Sequence, residues 1–145
     1  MDFFHRINKF LALGRGGDEG TKPVSRTGHG SAAEAAAVAW LQRQGLQLLI
    51  RNYKTPGRGG GEIDAIMRAA DGTLVFVEVR VRANSRHGGA AASIGSVKQR
   101  RIIHAAQQFL QRFPEMPPCR FDVMVCDQPG PPWQWTWIVA AFDAA

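Results

Sequence analysis

Two short stretches hold acids and bases at a spacing that could do chemistry: Gly61-Glu-Ile-Asp64 and Phe76-Val-Glu-Val-Arg80. Between them, Ala70-Asp71-Gly72 reads as a three-residue hairpin loop, a type I turn closed by a left-handed residue, with glycine third, where it is wanted. That loop sets the register. Asp64 falls opposite Glu78 and Glu62 opposite Arg80, while Ile63, Ala65 and Met67 fall opposite Val79, Val77 and Val75. A two-residue loop would set Asp64 against Val79 and scatter the apolar groups over both faces, which a hairpin with one buried face strongly disfavours.

In the first register the Cβ atoms of Asp64 and Glu78 stand about 4.5–5.5 Å apart on one face. Two carboxylates that close repel unless one is protonated or a cation sits between them. A hard divalent cation, Mg²⁺ or Mn²⁺, suits such a pair and keeps water or a phosphate on its remaining positions. It would polarise a phosphoryl oxygen and acidify a bound water, as phosphodiester hydrolysis requires. The competing reading makes Glu62–Arg80 a surface ion pair and leaves Asp64 and Glu78 solvated.

The elements that must position these groups follow from periodicity. Residues 62–68 and 73–82 alternate as strands, with Val75, Val77, Val79 and Val81 on one side as the core face, and Leu74, Phe76, Glu78, Arg80 and Arg82 on the other. Ser31-Ala-Ala-Glu34 is a capping-box pattern that opens an alanine-rich helix to residue 44, and Gly45 stops it. Ser96-Val-Lys-Gln99 is a second such pattern, opening a helix to about residue 112 with Ile102, Ala106, Phe109 and Phe113 on one side. Strands are expected at 46–52, 120–126 and 133–142, giving the order α-β-β-β-α-β-β and an α/β domain in which one mixed sheet is flanked by helices. Residues 1–27 read as a flexible leader and 28–145 as a single domain.

The 145 residues carry a net charge of +6, unevenly spread. Residues 43–112 hold twelve basic and four acidic groups, and fourteen of the eighteen cations in the chain are Arg, whose planar fork suits phosphates and base edges. A polyanionic partner is the natural inference. Arg58 in the Gly-rich loop Gly57-Arg-Gly-Gly-Gly61, Arg82, Lys98, Arg100 and Arg101 are the candidate nucleic-acid contacts. Lys98 is notable, because a cation in the first turn of a helix opposes the dipole and hints at phosphate binding, against the competing and favoured reading of a solvated lysine. The loop lacks the Gly-Lys-Ser/Thr ending of a nucleotide-binding P-loop. No apolar run reaches the roughly 18–20 residues of a membrane span. The two cysteines, Cys119 and Cys126, lie about 23 Å apart along one strand and cannot pair within it, which fits a reducing, cytoplasmic setting. Trp133, Trp135 and Trp137 share a strand face, expected to be core or a dimer surface rather than a base-stacking platform.

Taken together, Gly30-x-x-x-Glu34-x-x-Ala37-x-x-Trp40-Leu41-x-x-x-Gly45, Arg51-Asn52-Tyr53, Gly61-Glu-Ile-Asp64, Phe76-Val-Glu-Val-Arg80-x-Arg82, Lys98 and Arg120-Phe-Asp-Val123 resemble the YraN family over residues 28–142. The resemblance implies a three-layer restriction-endonuclease-like fold with a PD-(D/E)xK nuclease site, close to the Holliday junction resolvases. By position it implies Asp64 and Glu78 as metal carboxylates, Glu34 as the helical Glu that completes the site, and Arg80 in the place of the usual Lys. Glu62 is a further candidate ligand. Arg keeps the charge of the Lys it replaces, but is bulkier and cannot give up its proton. Glu34 has a second reading, as the cap of its own helix.

Two functions are therefore expected from different classes. The first is an Mg²⁺- or Mn²⁺-dependent endonuclease acting on DNA, including branched DNA, with the homodimer that the resolvase analogy implies. The second is a non-catalytic nucleic-acid-binding module that retains the fold. A protein–protein adaptor using the Trp strand is a weaker third.

Overall fold

The computed structural model describes residues 28–57, 60–82, 94–128 and 130–144. The expected leader at 1–27, Arg58 and the loop at 83–93 lie outside the described residues. Seven elements follow in the expected order: α1 (Gly28–Arg43), β1 (Gln47–Lys54), β2 (Glu62–Arg68), β3 (Leu74–Val81), α2 (Ser96–Leu110), β4 (Cys119–Cys126) and β5 (Trp135–Phe142). The strands form one sheet in sequence order, antiparallel throughout except for the parallel β3–β4 pair that α2 connects. Among the described residues no helix is long and apolar enough to cross a membrane.

Among the described residues each face of the sheet carries one helix. On one side Ala37, Val38 and Leu41 of α1 pack on Ala65, Met67, Val75, Val77 and Met124. On the other, Ile102, Ala105, Ala106, Phe109 and Leu110 of α2 pack on Ile66, Leu74, Phe76 and Phe121. The sequence pattern marked only the Val side of β3 as core, yet Leu74 and Phe76 are as buried as Val75 and Val77. The parallel crossover explains this, because it lays a helix on the second face and closes the central strands on both sides.

The hairpin joining β2 to β3 forms as its loop chemistry requires. Gly72 takes φ 91°, its amide donates to the Ala69 carbonyl, and Asp71 Oδ1 accepts from the Thr73 amide at 3.0 Å. The resulting pairs are Arg68↔Leu74, Met67↔Val75, Ile66↔Phe76 and Ala65↔Val77. This is the register that brings Asp64 opposite Glu78.

Three local expectations are corrected. α1 begins at Gly28, so Ser31 lies inside the helix and does not open it. In α2 the N-cap is Gly95 rather than Ser96, without a side-chain cap, and the Gln99 side chain instead donates to the Ile94 carbonyl at 3.0 Å. Ile63 leaves the valine face and packs beneath α2 with Ile66 and Phe76. The cause of this last change lies across the ladder, where Asn52 of β1 takes a left-handed φ of 53°. One left-handed residue breaks strand alternation, so Tyr53 and its partner Ile63 turn together to the α2 side.

Gly61 is where the hairpin meets α2. A Cβ on this residue would stand 1.9 Å from the Arg101 carbonyl oxygen and 3.1 Å from the Ala105 Cβ. The Gly61 amide donates to Thr55 Oγ1 at 2.7 Å, which fixes the entry into β2. Gly61 therefore serves close packing of strand on helix rather than loop flexibility. Gly61→Ala is expected to destabilise the protein by about 2–3 kcal/mol, because backbone rather than a pliable side chain fills the space. A chemical denaturation midpoint unchanged from wild type would refute that reading.

Candidate metal and nucleic-acid site

Among the described residues four charged ones are buried: Glu34 (7% exposed), Asp64 (6%), Glu78 (4%) and Asp122 (0%). Asp64 and Glu78 sit where the β2–β3 ladder stops, one residue pair beyond Ala65↔Val77. Past that point the strands no longer bond to each other through their backbones. Asp64 takes over, its Oδ2 accepting the Val79 amide at 2.8 Å. The Asp64 and Glu78 carboxyl groups are close enough to share a hydrogen bond.

Burial, and then the charge of Asp64, push the Glu78 carboxyl up to about 7, against the pull of Lys98. Lys98 comes from the first turn of α2, and its Nζ lies 2.5 Å from Glu78 Oε1. Burial and the like-charged neighbour together favour a proton on Glu78 near neutral pH. This is the electrostatic condition that a divalent cation relieves, and Mg²⁺ needs no more than one or two carboxylates beside its waters. On charge and donor chemistry, Asp64 and Glu78 fit such an ion.

Of the other expected ligands, Glu34 is buried and Glu62 is half-buried. Among the described residues no group of three or more His, Cys, Asp or Glu could hold a metal. Glu34 belongs to α1, which packs on the face of the sheet opposite α2, whereas Glu78 shares its strand face with Leu74 and Phe76 beneath α2. With α1 starting at Gly28, Glu34 is an interior helical residue, and the capping role is not realised. Glu62 and Arg80 lie beyond the paired part of the β2–β3 ladder, which stops at Ala65↔Val77. Arg80 itself is half-buried, aligned with Val125 of β4.

Of the candidate phosphate contacts, Lys98, Arg100 and Arg101 are exposed on the N-terminal half of α2. Arg82 is partly withdrawn: its side chain is 16% exposed and its Nε lies 3.3 Å from Asp127 Oδ1. The Trp strand divides. Trp135 and Trp137 pack against the α1 cluster, Trp137 meeting Trp40 edge-on at 5.9 Å, and Trp133 stacks on Trp135 at 5.7 Å.

Asp122 carries a role that the sequence reading missed. Fully buried, it accepts from Arg120 Nε at 3.1 Å, Trp137 Nε1 at 2.9 Å and the amide of left-handed Ala140 at 3.0 Å. These bonds replace ladder pairing where the β4–β5 register shifts, after Phe121. A lone Asp among apolar strand residues was the available signal.

The raised Glu78 gives a pH dependence with a definite sign. Between its ordinary value of 4.5 and about 7, the folded protein keeps a proton that the unfolded chain has lost. Stability contributed by this group is therefore complete below 4.5 and falls as pH rises through 7, by about 2–4 kcal/mol. Glu78→Gln should remove that slope and leave the protein more stable than wild type at pH 8. Denaturation curves at pH 5 and pH 8 check this, and parallel slopes for the two proteins would contradict it.

The sequence model of the uncharacterised protein family UPF0102 matches residues 33–126. A UPF0102 protein from Albidiferax ferrireducens is 62% identical over 115 residues, covering 79% of this chain and 87% of that protein. Another, from Polaromonas naphthalenivorans, is 54% identical over 129 residues, covering 86% and 84% of the two chains. A solved structure titled "Structure of EndoMS-dsDNA2 complex" aligns with a TM-score of 0.32 at 19% identity, over 74% of this chain and 38% of that one. At that score the two chains need not share a fold. With sequence agreement spanning both carboxylate strands and α2, this chain belongs to the uncharacterised protein family UPF0102, the YraN family.

Proposed function

We propose that the protein is a nucleic-acid-binding, divalent-metal-dependent endonuclease of the restriction-endonuclease-like kind, acting on DNA. The observation that supports this best is the buried Asp64–Glu78 pair, in which burial and then the charge of Asp64 raise the Glu78 carboxyl to about 7. Asp122 is met by three donors, whereas Glu78 faces a second carboxylate as well as the Lys98 ammonium. A buried carboxyl perturbed as Glu78 is marks a functional site.

Asp64 and Glu78 would hold the ion, which supplies charge for the phosphoryl oxygen and a water of lowered pKa. Hydrolysis adds one water across a P–O bond: the water oxygen joins phosphorus, and the leaving oxygen departs as a hydroxyl once protonated. The chain's own residues bind and orient. Arg80 follows Glu78 on the same strand face and can meet a non-bridging oxygen of the attacked phosphate. Lys98, Arg100 and Arg101 offer α2 to the neighbouring phosphates. Glu34 and Glu62 are left outside the ion-holding set.

A binding-only module is the second reading, favoured by one feature: Arg at position 80, which cannot move a proton and clamps phosphate with two donors. Single-turnover cleavage of a labelled four-way junction in Mn²⁺ separates the two. Wild type should cut, Asp64→Asn and Glu78→Ala should not, and Arg80→Lys should cut faster at unchanged DNA affinity. Absence of cleavage by wild type and Arg80→Lys alike, with Arg80→Lys binding more weakly, selects the binding module.

The basic surface makes its own prediction. The logarithm of the DNA association constant should fall linearly with the logarithm of salt concentration, and Arg100→Ala should make the slope shallower by about one unit. Arg82→Ala should change it less, since Asp127 already engages that guanidinium. A salt-independent affinity would dismiss the groove.

A further inference from the structure

Lys98 is a cation where a helix disfavours one. It is the third residue of α2, in a first turn without acidic residues or a side-chain cap, where the exposed amides already carry positive potential. What holds it there is Glu78, and the pairing is lopsided: the lysine side chain is 50% exposed and the glutamate 5%. The ammonium thus reaches from the surface into the edge of a buried acidic pair. Its placement is imposed by packing as well as charge. Arg101, one turn along the same helix, presents the carbonyl that Gly61 accommodates, so the strand leading to Asp64 and the helix bearing Lys98 are set against each other.

We infer that Lys98 is the resident counter-cation of the Asp64–Glu78 pair, displaced when a divalent cation binds and then available to the substrate phosphate at the mouth of the site. This rests on the metal-dependent reading above. A doubly charged ion beside both carboxylates repels an ammonium sharing one of them, and the compact lysine head on its flexible stem can leave without moving the helix. The site would then take its mobile cation from α2, while Arg80 remains on the strand. Breaking a half-exposed ion pair is a modest toll on metal affinity, up to about fivefold.

Mn²⁺ titration calorimetry on the full chain at pH 8, above the range where Glu78 titrates, tests the exchange. Lys98→Met should bind Mn²⁺ about fivefold more tightly than wild type, and Lys98→Arg, which keeps the charge, should match wild type. In saturating Mn²⁺, single-turnover junction cleavage by Lys98→Met should drop by about 10²-fold or more. Tighter metal binding together with slower cleavage is a combination that a merely structural lysine does not produce. Unchanged or weaker Mn²⁺ binding by Lys98→Met overturns the inference alone, as does undiminished cleavage. If neither wild type nor variant binds Mn²⁺, the metal reading falls and the inference with it. If Lys98→Met binds more tightly but wild type cuts nothing, the counter-cation stands and the nuclease reading fails.

Discussion

Asp64 and Glu78 meet where both are more than nine-tenths buried, and like charges in that setting must be compensated by whatever surrounds them. Neighbours among the described residues share the task. The Val79 amide donates to Asp64, the Lys98 ammonium lies against Glu78, and near neutral pH a proton occupies part of the pair. Each compensation depends on an element being in place. Val79 is available because β2 and β3 part after Ala65↔Val77, and Lys98 because Gly61 lets α2 lie directly on the strand entry.

Asp122 shows what a buried acid looks like when it serves the fold alone. It is on β4, wholly enclosed, and three donors from Arg120, Trp137 and Ala140 converge on its two oxygens. Removing it would strand those donors, the usual reason that breaking a buried charged network is costly. Glu78 has one good donor and one like-charged neighbour. The sheet therefore contains a satisfied carboxylate on the α1 side and a frustrated pair on the α2 side, and the difference separates scaffold from site.

Much of this was legible in the chain because it depends on local rules. Gly72 as third loop residue fixed the hairpin, and with it the meeting of Asp64 and Glu78, since a one-residue slip would have turned the apolar groups out of the core. The element order followed from periodicity in the same way. What could not be read depends on contacts between distant segments. The two Ser-x-x-Glu/Gln patterns looked like helix starts, but α1 extends back to Gly28, and α2 starts at Ser96 with Gly95 as its cap, so Ser31 does not open its helix and Ser96 does not cap its own. Ile63 changed face because of a left-handed residue in another strand. Lys98 and Glu78 are twenty positions apart and meet through the crossover; the dipole-opposing lysine was the trace it left in the sequence. Asp122 left less, because two of its three donors, Trp137 and Ala140, come from a neighbouring strand.

The bond from Val79 to Asp64 joins the site to the backbone of the central strand. An amide bonded to a side-chain carboxylate senses that carboxylate's charge and orientation directly, whereas its neighbours in the β3–β4 ladder answer to other carbonyls. Occupation of the site thereby acquires a spectroscopic address. The Val79 amide resonance and its hydrogen-exchange rate should follow the state of Asp64, while the amides of Val75 and Val77, further from the site along the same strand, provide an internal baseline.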